Sequence, residues 1–153
     1  MDEIDGTVVR HLLRHGRASF AEIGAAANLS ASAAKRRVDR LVERGTIRGF
    51  AAVIDARAMG WETEAYVEVF CRGNVSPHTL RTHLAQIPEV IGACTVSGRA
   101  DARVQVLARD VEHLERVLQV IRSGADIERT ETEIVLSRLI ARTQNGALSG
   151  GSA

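Results

Sequence analysis

Apolar positions along this chain recur first at helical and then at strand spacing. In residues 3–15 (EIDGTVVRHLLRH), Ile4, Val8 and Leu12 share one side, with Val9 and Leu13 one step round, and Gly16 ends the pattern. In SFAEIGAAAN, Ser19 precedes Glu22 by three residues, a capping box that predicts a short helix over 20–27. Ser30 is a suitable N-cap for a third helix, over roughly 31–44, whose stripe is Ala34, Val38, Leu41 and Val42. Its opposite side collects Ser32, Arg36, Asp39, Arg40 and Glu43, with Lys35 and Arg37 on the flanks. Gly45 stops it, and the β-prone TIRGFAAVID reads as a wing-like strand or hairpin. Three short helices with a tight turn before the third predict a winged helix-turn-helix.

After a hinge at residues 55–62 the rhythm changes. EAYVEVFC alternates, with Ala65, Val67, Val69 and Cys71 on one face. Ser76 and Pro77 open a helix striped by Leu80, Leu84 and Ile87. EVIGACTVS alternates again, setting Val90, Gly92, Cys94 and Val96 against Ile91, Ala93 and Thr95. ARVQVLA points Ala102, Val104, Val106 and Ala108 inward, and Asp110 caps a helix striped by Val111, Leu114, Val117, Leu118 and Ile121. IERTETEIVLSRLI reads as the last strand. The fold class is therefore α+β, a winged helix-turn-helix followed by a ferredoxin-like βαββαβ domain. The expected divisions are 1–50, a hinge strand or linker at 51–62, the sheet domain at 63–142 and a flexible tail at 143–153. Tyr66, Phe70, Ile91, Ala93 and Leu107 would lie on the sheet face away from the helices, among Glu68, Thr95, Arg103 and Gln105. A partner subunit would cover that face, which predicts a homodimer.

Composition adds charge placement. The 153 residues carry a net charge of +1, but residues 1–60 hold ten basic and seven acidic side chains, and residues 61–153 hold ten and twelve. Six of the twenty basic residues lie between Asn28 and Phe50, against two acids, Asp39 and Glu43. The two cysteines have no metal-ligand spacing, no signal peptide opens the chain, and no apolar run is long enough to span a membrane. These features point to a cytoplasmic protein with reduced thiols.

The third helix would meet double-stranded DNA through Ser30, Ser32, Ala33, Lys35, Arg36, Arg37 and Arg40, with Arg48 reaching the backbone from the wing. Small residues at its start let the backbone approach base edges, and its N-terminus directs donors at phosphate. Arg36 and Arg40 suit base contacts; Lys35 and Arg37 suit phosphates. The plain alternative is a solvated helix with surface pairs Arg36–Asp39 and Arg40–Glu43, worth a few tenths of a kcal/mol each.

From Ile4 to Arg142 the chain resembles the Lrp/AsnC family of feast/famine regulators. The resemblance rests on IDGTVVRHLLRHGRASFAEIGAAANLSASAAKRRVDRLVERGTIRGF, IPEVIGACTVSG, DARVQVLARDVEHLERVL and TETEIVLS in that order. It implies DNA binding, dimers assembling further, in some members to octamers, and small effectors, often amino acids, bound near interfaces between dimers. The family often has Gly-Asp-Tyr-Asp where this chain has Gly98-Arg99-Ala100-Asp101. Backbone donors at Gly98–Ala100, or Arg99, could hold an amino-acid carboxylate, and Asp101 its ammonium. Thr130 and Thr132 of a neighbouring subunit could complete the site. The alternative is a turn whose aspartate is only a cap.

No nucleophile elbow, phosphate loop or dinucleotide fingerprint is present. His11, His15, His78, His83 and His113 lack a metal-binding context. The expectation is a non-enzyme without cofactor. The other readings are a two-domain enzyme resembling sirohaem decarboxylases, and a sensor or assembly module that has lost DNA binding.

Overall fold

The computed structural model describes residues 1–124 and 126–140. The chain divides into two compact units, one running from Met1 to Val53, the other from Ile54 to Arg138.

The first unit contains α1 (Glu3–Arg14), α2 (Phe20–Ala27) and α3 (Ala31–Glu43). Asp2 and Asp5 form a capping box on α1, Ser19 and Glu22 a second on α2, and the Ser30 hydroxyl accepts from the Ala33 N–H to start α3. Each such cap stabilises its helix by about 1 kcal/mol. Val8, Ile23, Ala34, Val38 and Leu41 form the core, with Val9, Leu12, Ala18, Ala27 and Ile47 packed around it. Ile4 and Val42, expected inside, stay exposed. The turn from α2 to α3 depends on two backbone features. Asn28 takes a left-handed conformation (φ 54°), and a Cβ on Gly24 would come within 2.5 Å of the Leu29 carbonyl oxygen. The missing side chain lets the turn close over α2, where the Leu29 N–H donates to the Gly24 carbonyl at 2.8 Å.

The wing strand expected after α3 is not formed: residues 46–55 contain no strand. Phe50, Val53 and Ile54 are 58, 82 and 62% exposed. The sequence is strand-prone, but a strand needs a paired neighbour, and within the described chain this segment has none.

The second unit begins with one 3-10 turn, Arg57–Met59, and continues as β1 (Thr63–Cys71), α4 (Pro77–Leu84), β2 (Val90–Thr95), β3 (Ala102–Ala108), α5 (Val111–Arg122) and β4 (Ile127–Ile134). The sheet is antiparallel, in the order β2-β3-β1-β4. Ala65, Val67 and Val69 of β1, the four inward residues of β3, Leu80, Leu84 and Ile87, and Leu114, Val117 and Ile121 form one core. Val111, expected in that stripe, is 62% exposed.

Two expectations about the sheet are corrected. β4 ends at Ile134, so the second half of the strand expected to reach Ile140 is not strand. On β2 a bulge at Ile91 shifts the register: Val90 pairs with Val106, but Gly92 pairs with Gln105, Ala93 with Val104, Cys94 with Arg103 and Thr95 with Ala102. One extra residue reverses which side chains face which way. Ala93 and Thr95 therefore lie on the helix side, and Gly92 and Cys94 on the open face. That face is also less apolar than expected. The Arg103 guanidinium lies 4.5 Å from the Tyr66 ring centroid, and that of Arg129 lies 3.5 Å from the Phe70 centroid, leaving Phe70 only 8% exposed. The tail expected at 143–153, and residues 141–142 of the sheet domain, lie outside the described residues.

Candidate nucleic-acid interface and effector turn

The outward side of α3 is built by its period. Ala34, Val38 and Leu41 face the core, so Ser32, Arg36 and Arg40 face away. Arg36 and Arg40 are exposed, and neither has an ion-pair partner among the described residues. The pairs Arg36–Asp39 and Arg40–Glu43, the plain alternative, do not form. Asp39 is taken by Lys35 instead, at 2.6 Å, with both side chains about half exposed. The Ser30 and Ser32 hydroxyls lie 3.1 Å apart at the helix start, and Ala33 is half-buried. Arg48 is exposed, on a segment with no strand. Arg44, which sequence reasoning passed over, caps the C-terminus of α3 and is also exposed.

Arg37 departs from the expectation of a flanking phosphate contact. Its Nη1 donates to Asp2 Oδ2 at 2.7 Å and to Asp5 Oδ1 at 2.6 Å. Its side chain is 19% exposed, against 57% for Lys35. The guanidinium holds both aspartate carboxyls below the usual carboxylate range. The stripe read from the sequence, with Val42, puts Lys35 nearer the core. Val42 is exposed, so the stripe narrows to Ala34, Val38 and Leu41, and Arg37 then lies within about 70° of its centre. The partners were not legible, because they lie 35 and 32 residues away.

At the turn from β2 to β3, Asp101 is engaged internally. Its Oδ2 accepts from the Cys71 N–H at 2.7 Å, and its own N–H donates to the Val69 carbonyl at 2.9 Å. Burial, and then the charges of Asp101 and Asp126, push the Cys71 thiol up. Ala100 is buried, only 5% exposed. Gly98 and Arg99 remain exposed. Thr130 and Thr132 pair with Val69 and Val67, which places them on the helix side of the sheet. The Thr130 hydroxyl accepts from Arg122 Nε at 2.8 Å, whereas the buried Thr132 hydroxyl has no partner among the described residues. Two surface cavities of about 410 and 480 Å³ flank α4, and neither is lined by residues 98–101, Thr130 or Thr132. Within one chain the candidate effector residues therefore enclose no described cavity. Among the described residues, no group of three His, Cys, Asp or Glu could hold a metal ion.

Two family models match the chain: AsnC-type helix-turn-helix domain at residues 1–42 and Lrp/AsnC ligand binding domain at residues 64–145. The chain is 52% identical over 142 residues to the HTH-type transcriptional regulator Rv2324 of Mycobacterium tuberculosis, covering 93% of this chain and 96% of that one. Among solved structures it is similar to the feast or famine regulatory protein Rv3291c of M. tuberculosis complexed with L-methionine. That likeness has a TM-score of 0.85 at 34% identity, over 92% of this chain and 95% of the other. The structure of Escherichia coli AsnC shares the fold, with a TM-score of 0.86 over 95% of this chain and 98% of that one, at 23% identity. The helix-turn-helix with its outward arginines and the βαββαβ sheet are thus the two parts of one regulator type, and the chain belongs to the Lrp/AsnC family of transcriptional regulators.

Proposed function

We propose that residues 1–50 read double-stranded DNA through α3, with Arg36 and Arg40 on base edges, Ser30, Ser32 and Ala33 against the groove, and Lys35 and Arg48 on phosphates. The observation that carries this reading is the pair of unengaged, exposed arginines one turn apart on α3, behind a closed helix-helix turn. Comparing binding to DNA upstream of the protein's own gene with binding to unrelated DNA of equal length, at low and physiological salt, tests it. Tighter and salt-sensitive binding to the upstream DNA is expected. Equal binding to both would overturn it.

Residues 51–62 serve as the hinge, and residues 63–142 assemble copies and bind a small effector in the cytoplasm. An amino acid is the effector class, as in the methionine-bound relative. Its carboxylate would meet the open backbone and side chain at Gly98–Arg99, and a second copy would complete the site, because one chain does not enclose it. Asp101 keeps one carboxylate oxygen for the ammonium. The exposed apolar side chains of Phe50, Val53, Ile54, Leu136 and Leu139 support a homodimer that assembles further. An effector that prefers one assembly geometry changes the spacing of the DNA-reading units and so their affinity. A panel of amino acids in thermal denaturation tests the effector class, since binding to the folded state raises apparent stability. A flat panel would remove amino acids from the reading.

A further inference from the structure

Three charged groups tie the start of α1 to the middle of α3. The Arg37 guanidinium bonds to both Asp2 and Asp5, and Asp5 is 8% exposed. The two acids are themselves held in place, because Asp2 caps α1 through the Asp5 N–H and Asp5 accepts from the Asp2 N–H in return. The cluster of one arginine and two carboxylates carries a net negative charge. A phosphate brought to Arg37 would meet that charge, and swinging the guanidinium out to reach one would leave Asp5 buried and unpaired. Arg36, one residue earlier and about 100° round the helix, has no such tie.

We propose that Arg37 is a positioning residue for DNA reading: clamped by Asp2 and Asp5, it fixes the angle of α3 on α1 so that Arg36 and Arg40 meet bases in register, and it takes no phosphate itself. The inference rests on the DNA-reading assignment above. Base readout needs side chains placed to within about half an ångström, and long arginines achieve that only from a fixed helix. Two hydrogen bonds from one guanidinium add a directional tie to the non-directional apolar contacts of this three-helix core.

The test uses the full chain with Arg37→Gln, Asp5→Asn and the double variant, measuring affinity for upstream and unrelated DNA across a salt series. Arg37→Gln is expected to lower the preference for upstream DNA by roughly five- to a hundredfold, the span of a lost base contact. The slope of log affinity against log salt on unrelated DNA stays unchanged. Asp5→Asn is the sharper variant, because removing a negative charge would by itself tighten DNA binding. The clamp predicts loss of preference instead, and a double variant no worse than either single one. A salt slope smaller by about 0.9 in Arg37→Gln, with preference intact, would make Arg37 a phosphate contact and overturn the proposal. So would a lowered melting temperature with preference and slope both unchanged, the mark of a purely structural bond. If Arg37→Gln does not fold, Asp5→Asn carries the same comparison. Wild-type protein without preference would overturn the DNA-reading assignment itself, which none of the variant outcomes does.

Discussion

The outward side of α3 and the turn at Gly98–Asp101 both place charged groups at the surface, and they hold them differently. On α3 the helix satisfies its own backbone, and Arg36 and Arg40 point outward with no ion-pair partner among the described residues. At the turn no regular element satisfies the backbone, and the Asp101 side chain is drawn in to accept from Cys71 while its N–H serves Val69. Arg36 and Arg40 on the helix are available for a partner, whereas Asp101 in the turn is already claimed by β1.

The strongest way to break this comparison is to remove the regular element. Gly24→Ala sets a Cβ 2.5 Å from the Leu29 carbonyl, a backbone atom that cannot step aside. The expected loss is about 2–4 kcal/mol in urea denaturation of the first unit, with the helical signal of that unit and DNA binding lost together. Arg36→Ala leaves the element intact and removes its free group. It is expected to cost roughly 1–3 kcal/mol on upstream DNA and little on unrelated DNA, with melting temperature unchanged. Equal weakening on both sequences would make Arg36 a phosphate contact.

At the turn, Asp101→Ala should cost stability whether or not any effector is present, about 1–2 kcal/mol by chemical denaturation, because the Cys71 N–H loses its acceptor. A pure effector role predicts unchanged stability of the free protein. A smaller effect separates the units by pH. The Asp2 and Asp5 carboxyls titrate below their ordinary values, so their contribution is present above about pH 4 and is lost as pH falls through the lowered values. Acid melting of Arg37→Gln should therefore show a shallower fall below about pH 4 than the wild type. Arg99→Ala is expected to change stability least, within about 0.5 kcal/mol, while reducing any thermal shift given by an amino acid.

Much of this contrast is legible in the sequence. The period of 3.6 residues located the core stripe of α3 and its outward side, and caps at Ser19, Ser30, Ser76 and Asp110 placed four helix starts. Features set by distant partners were not. The expected wing has strand-forming residues and, among the described residues, no strand beside it. Arg37 finds its acids only once α1 packs on α3. The extra residue at Ile91 has no signature in an alternating run, because a bulge is a property of the pairing of two strands. Gly24 was equally silent, since a glycine inside a helical run does not announce which backbone will approach it.

The bulge has a practical consequence for this chain's chemistry. By turning Cys94 to the open face beside Arg103, it gives the sheet a native reporter. Cys71 is half-buried with its thiol pushed up, so a thiol reagent at neutral pH meets Cys94 first. The labelling rate of that one sulfur reads out, without a tag, how often the open face of the sheet is bare.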